Sequence, residues 1–207
     1  LAFPLDKDSL VARIADLGFT HDEVLYTGTH THSGPEGLAD WQVEQLARAI
    51  RKAHSSRVPV TAGWGSSRVL DVNRNRSIEA HLANHGLDQF YGQGHAEDDP
   101  KGIEHSRDTR LRLLRVDRLD GRPLAAWIHF PVHLTTSAPD VDIWDTDLAG
   151  AATHHLETAI GARGFKALYT NGALGDQMPR FDAYNRTAAM DLHGRRIAQK
   201  AMSAWHS

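Results

Sequence analysis

The chain has 207 residues, 41% of them apolar and 24% charged, with a formal charge of -3. That length and apolar share suffice for one large globular domain, the mixed and near-neutral charge gives no electrostatic footprint for nucleic acid, and no apolar run approaches the roughly 18 residues that a membrane-spanning helix needs. The absence of cysteine excludes disulfides and thiolate centres, so a transition metal would be held by His, Asp, Glu or Tyr, and 14 histidines are many for this length.

The chain opens at LAFPLDKDSL with no initiator Met and no basic stretch ahead of an apolar one, and reads as a processed or excised piece. Leu10, Ile14 and Leu17 stand at helical spacing before Gly18, which predicts a short helix over Lys7 to Leu17. EVLYTGT, Glu23 to Thr29, is rich in β-formers and predicts a buried strand running into His30 and His32. An amphipathic helix is expected over Leu38 to Ala53, and a strand of small residues over Val58 to Ser67. Asn73 to Ser77 then reads as a polar run, either a solvated helix entrance capped by Ser77 or an arginine-bearing anion clamp.

Tyr91 to His105 is rich in Gly, Asp and Pro and predicts a surface loop. The alternating RLRLLRVD, the turn signal Asp120-Gly121 and the apolar run from Pro123 predict an antiparallel hairpin at about 110–134. SAPDVDIWDTD reads as an acidic loop, with Asp147 as the cap of a helix over Leu148 to Ile160 that Gly161 or Gly164 ends. A strand over Phe165 to Thr170, the loop NGALGDQMPR and a last helix over Thr187 to Trp205 follow. Strands thus alternate with helices around one hairpin, which predicts an α/β fold with a mixed β-sheet core.

Residues two apart on a strand share a face, so His30 and His32 would project to one side, with Gly34 and Pro35 turning the chain directly afterwards. Spacing alone leaves a metal site and a solvated turn equally open. His129 and His133 pose a similar choice on the later apolar run, since a core histidine bonded to a backbone carbonyl explains either. Asp140, Asp142, Asp145 and Asp147 could complete a metal site but fit a capping loop better, and His154-His155 diverge on a helix and receive no role. In the loop after the Phe165 strand, Gly172 and Gly175 permit close backbone approach and Asp176 offers a carboxylate.

Taken in order, THTHSGPEG, NRSIEAHLAN, DTRLRLLRVDRLDGRPLAAWIHFPVH, DTDLAGAA and YTNGALGDQMPR resemble the N-terminal catalytic domain of the neutral/alkaline non-lysosomal ceramidase family. The resemblance runs over about residues 8 to 200 and implies one ceramidase-like catalytic domain over 1–207, incomplete at both ends, with helices packed on the outer faces of the sheet core in an αββα-like arrangement. It implies a zinc hydrolase that cleaves the N-acyl amide of ceramide by metal-activated water, secreted or periplasmic, with a lipid-like or other small-molecule substrate. His30 and His133 map to zinc ligands, which chooses His133 over His129. His32 and Arg76 map to catalytic positions, while Asn75, Asp147, Asn171, Gly175 and Asp176 are the candidate substrate-binding residues. The resemblance implies two differences as well. Met178 stands where the family loop carries a serine, and the family's remaining zinc ligands, a glutamate and a tyrosine, have no counterpart assigned here. The alternatives are a family member that binds a lipid-like or sugar-like ligand without turning it over, and a metallohydrolase of another small amide or ester.

Overall fold

Leu10 and Ile14, one helical turn apart, are buried on the inner side of α1 (Lys7–Ile14), which tightens into a 3-10 turn over Ala15–Leu17 and ends at Gly18 with φ of +87°. The structure, a computed structural model, describes residues 7–34, 37–77, 107–137, 144–180 and 186–207. Against α1 lies α2 (Ala39–Ser55), whose Val43 and Ala47 complete a small apolar cluster of their own. Arg13 with Glu44 and Arg51 with Asp16 pair across the rim of these two helices.

The central sheet is mixed, as the alternation of elements predicts. β1 (Val60–Arg68), β3 (Arg110–Arg118), β4 (Pro123–His129) and β5 (Lys166–Thr170) lie in the order β1-β3-β4-β5; the first two pairings are antiparallel and the last is parallel. A parallel neighbour cannot be reached through a tight turn. The crossover from β4 to β5 contains α3 (Asp147–Ile160), and α4 (Arg186–Trp205) packs beside it. Leu111 and Leu113 of β3, Ala126 and Ile128 of β4 and Tyr169 of β5 alternate onto the covered face, where they meet Leu148, Ala152, Leu156, Ile197 and Ala201 from these helices. On the opposite face the register sets Trp64, Leu114, Trp127 and Leu168 in one row across all four strands.

A second, two-stranded ribbon pairs β2 (Asn73–Asn75) with β6 (Gln177–Pro179) in antiparallel register. It corrects two expectations, because the polar run at 73–77 begins as a strand and the loop at 171–180 contains one. The predicted strand over 23–29 does not form. The segment is irregular and largely open to solvent, with Leu25 83% exposed, and its β-formers find no sheet neighbour until Thr31 makes a single parallel bridge to Leu134. The second hairpin strand ends at His129 and not near 134, because Pro131 has no N–H to offer a ladder. Thr146, and not Asp147, occupies the cap position of α3. The predicted loop over 91–105 and the acids Asp140 and Asp142 lie outside the described residues.

Two glycines fix how closely α4 approaches its neighbours. A Cβ on Gly65 would fall 1.8 Å from the Ala204 carbonyl oxygen, and one on Gly194 would fall 2.4 Å from the Ala151 Cβ. Gly63, on the same strand, has open space at its Cβ position. Gly65→Ala is therefore expected to lower the unfolding free energy by about 1–3 kcal/mol through overpacking. Gly63→Ala should change it by no more than about 0.5–1 kcal/mol, and urea denaturation of the two variants checks the contrast.

Candidate functional site

The site begins where β4 stops. After the Arg112↔His129 pair the chain leaves the sheet, yet Phe130, Val132 and Leu134 stay fully buried and His133 nearly so. A buried backbone outside a sheet must find other partners. Phe130 N–H donates to the Thr170 carbonyl at 3.2 Å, the Phe130 carbonyl accepts the Tyr169 hydroxyl at 2.8 Å, and the Pro131 carbonyl accepts the Asn73 amide at 3.1 Å. His133 N–H donates to the Gln177 carbonyl at 2.7 Å, and Leu134 offers its carbonyl to His32 N–H at 3.2 Å.

The histidine loop is held against this segment from several sides. Besides the bridge to Leu134, the Thr31 hydroxyl donates to the Asp145 carbonyl at 3.3 Å, Asp145 N–H donates to the Ser33 carbonyl at 3.1 Å, and the Asn171 side-chain amide donates to the Thr29 carbonyl. His30 adopts a φ of +63°, a left-handed conformation that a non-glycine residue takes only when its surroundings impose it.

Three imidazoles thereby meet. Ring centroids lie 4.9 Å apart for His30 and His32, 5.0 Å for His30 and His133, and 6.4 Å for His32 and His133. The His133 Nδ1–H faces the Gln177 carbonyl at 3.3 Å, which assigns the proton to Nδ1 and leaves Nε2 with a lone pair. His30 and His32 bring their Nε2 atoms to 3.3 Å, so one donates to the other. Burial lowers the pKa of both, with the neighbouring His133 and Arg76 acting in the same direction. Neutral imidazole is the form that binds zinc. As they stand, no three His, Asp or Glu side chains among the described residues enclose a metal position.

The ribbon joins this cluster through Gln177. Its side-chain oxygen accepts from the Asn73 amide at 3.0 Å, its side-chain nitrogen donates to Asp176 at 2.9 Å, and Asn75 donates to the other Asp176 oxygen at 2.8 Å. Asn75 and Asp176 are thus bonded to each other inside the ribbon. Arg76 continues the ladder by donating its N–H to the Asp176 carbonyl, and its guanidinium lies 3.9 Å from the Met178 sulfur.

The other candidates take distinct places. Asn171 ties down the histidine loop, and a Cβ at Gly175 would meet nothing within 4 Å. Asp147 is 1% exposed, and its carboxylate accepts from the backbone N–H groups of Ser137 and Leu148, while burial raises its pKa. His129 turns away from the three-histidine cluster to the Thr170 hydroxyl at 3.1 Å. His155 bonds Asp191 across α3 and α4 at 2.7 Å. Sequence reasoning missed Gln177 and Thr31 and gave Asn73 and Asp145 other roles, as part of a polar run and of an acidic loop; here all four position the histidines. The available signal was weak: polar residues alternate at 73 and 75, the period of a strand.

Comparisons with known proteins bear on the family and on the fold. The family model described as neutral/alkaline non-lysosomal ceramidase, N-terminal, matches residues 39–192. The neutral ceramidase of Pseudomonas aeruginosa is 25% identical over 182 residues, covering 79% of this chain and 25% of that protein. That of Mycobacterium tuberculosis is 25% identical over 204 residues, covering 85% and 30%, and neutral ceramidase A of Dictyostelium discoideum is 27% identical over 156, covering 67% and 20%. The crystal structure of the Pseudomonas aeruginosa neutral ceramidase superposes with a TM-score of 0.78 at 23% identity, over 99% of this chain and 35% of that one, and so shares the fold. The chain spans about a quarter of the length of the first of these curated relatives.

A histidine whose folded pKa is lowered binds a proton more weakly folded than unfolded. Its contribution to stability is complete above the ordinary value of 6.5 and is lost as the pH falls below it. The ring resonances of His30 and His32 in the metal-free chain should titrate below 6.5 by NMR, and the unfolding free energy should drop between about pH 7 and pH 5. Titration at or above the ordinary value would contradict the burial argument.

Proposed function

The chain belongs to the neutral/alkaline non-lysosomal ceramidase family, and from that membership we propose that it is a zinc-dependent hydrolase of N-acyl amide bonds, of the ceramide type. The observation that carries the reading is the meeting of His30, His32 and His133, with the Nδ1–H of His133 fixed on the Gln177 carbonyl. Metal-ligating histidines characteristically donate their other ring nitrogen in this way, which sets the tautomer and the ring orientation. The donor set fits zinc in kind: His30 and His133 would hold it as neutral imidazoles, and its remaining donors lie beyond these two. Bound there, zinc would supply a water acidic enough to ionise near neutral pH and a Lewis acid for the amide carbonyl.

The chain's own residues do the rest. His32, hydrogen-bonded to His30 and held neutral by burial, is disposed to take the proton of the attacking water and to return it to the departing nitrogen. Arg76 provides a fixed positive charge on the ribbon side, suited to the oxyanion or to a polar substrate group. Met178 contributes neither nucleophile nor hydrogen-bond donor, because a thioether can be neither. A water mechanism does not need one. The same thioether gives the second reading its support: with Met178 beside Arg76, the substrate differs from the sphingoid amide at its head group, or is another small amide or ester.

Metal analysis after equilibration with zinc should find near-stoichiometric metal in the chain and marked loss in His30→Ala and in His133→Ala. Hydrolysis of a fluorescent short-chain N-acyl substrate should fall by about 10²–10⁴-fold in His32→Ala, with most of the zinc retained. Equal zinc in the parent chain and both ligand variants would remove the metal assignment.

A further inference from the structure

The ribbon has two faces of opposite character. Asn73, Asn75 and Gln177 are buried on one. Arg74 pairs in register with Met178 on the other, and Arg76, two residues further on, projects to that same side. The backbone of Arg76 is fixed by its bond to the Asp176 carbonyl, while among the described residues its guanidinium meets only the Met178 sulfur, at 3.9 Å. A thioether is a weak acceptor and carries no charge. The acid nearest in the ladder does not compensate, because both oxygens of Asp176 accept from the Asn75 and Gln177 amides. Among the described residues Arg76 forms no ion pair with any carboxylate. It nevertheless stands at the histidine cluster: Gln177, its ribbon partner's neighbour, receives His133, and the Arg76 charge helps to lower the pKa of both His30 and His32.

An exposed arginine with no ligand in prospect is usually matched by a nearby acid or directed into solvent. Here the guanidinium is exposed and has a neutral sulfur beside it, on the side of the ribbon next to the reacting centre, with its remaining donors facing no carboxylate among the described residues. Planar, bidentate recognition of a carboxylate is what a guanidinium does best. We propose that Arg76 anchors a substrate carboxylate, so that the preferred substrate class is an N-acyl amino acid or a similarly acidic amide, with the acid group close to the scissile bond. The assignment rests on the reading of the site as an N-acyl hydrolase.

The test compares N-lauroylglycine with N-lauroylethanolamine, which replaces the carboxylate by a hydroxyl of similar reach, and with laurate, the acid both would release. With zinc present, kcat/KM for N-lauroylglycine should exceed that for the ethanolamide by about 10- to 100-fold. Arg76→Gln should erase the preference mainly through KM, and Arg76→Lys should keep part of it. Calorimetric titration without added metal should show N-lauroylglycine binding the parent chain more tightly than the ethanolamide and losing that advantage in Arg76→Gln, with circular dichroism confirming the fold of each variant. If neither amide is cleaved but the Arg76-dependent binding is present, the hydrolase reading falls and the anchor stands. If both are cleaved equally, the hydrolase reading stands and the anchor falls. Arg76-dependent binding of laurate alone, or binding of none of the three, would overturn the anchor as well.

Discussion

The burial of residues 130–134 outside any strand is the constraint on which the site depends. Pro131 removes a donor from the chain just as β4 ends, so the segment cannot continue the ladder, and its flanking apolar side chains still hold it in the core. An unpaired buried carbonyl or amide would cost about 1–3 kcal/mol. The partners that prevent that cost come from four different parts of the chain: Thr170 and Tyr169 at the end of β5, Asn73 in β2, Gln177 in β6 and His32 in the loop before α2. The hydrogen bonds that let this segment be buried are therefore also the ones that assemble the ribbon and the histidine loop around His133.

The second constraint is conformational. Among the described residues only His30 and Asp147 combine a side chain with a positive φ, +63° and +52°. Each such residue costs about 1–2 kcal/mol relative to ordinary backbone. Both lie in the same network. Asp147 accepts from Ser137 N–H and Leu148 N–H and donates its own N–H to Asp145; Asp145 in turn bonds the Ser33 carbonyl and accepts from Thr31. The strain at His30 is thus held from the start of α3, the element that carries the chain from β4 to β5. The buried Asp147 carboxylate, which accepts backbone donors and lies away from solvent, acts on the histidines through that lacing.

How much of this was legible in the sequence follows from the range of the forces involved. The alternation RLRLLRVD and the Asp120-Gly121 turn mark the hairpin because strand period and turn chemistry are local, and the mixed sheet follows from the order of elements. The helices are legible for the same reason. EVLYTGT misleads because β-propensity describes a fit to a half-buried pleated surface and no neighbouring strand supplies one there. The ribbon is missed because three-residue strands have no period to detect, and Asn73 and Gln177 are joined by partners about a hundred positions apart. The motif THTHSGP does signal a place where chemistry-bearing residues gather. That His32 faces His30, and that His133 is oriented by a main-chain carbonyl, is set by tertiary contacts that no local pattern encodes.

The electrostatics of the site couple its two halves. Burial and the Arg76 charge both disfavour imidazolium at His30 and His32, which keeps ring nitrogens available as neutral donors. The same positive charge opposes any cation brought to those nitrogens. The acids of the surrounding network do not offset it: Asp147 is engaged with backbone donors, Asp145 with the Ser137 hydroxyl, and Asp176 with two amides. A ligand that carries its own negative charge relieves that repulsion. On the proposed reading, a cation at His30 and His133 strengthens the hold on a carboxylate at Arg76, and by linkage the carboxylate strengthens the hold on the cation by the same factor. The neutral sulfur of Met178 then has a definite consequence, since a carboxylate in its place would quench Arg76 and dissolve the coupling between the two ends of the site.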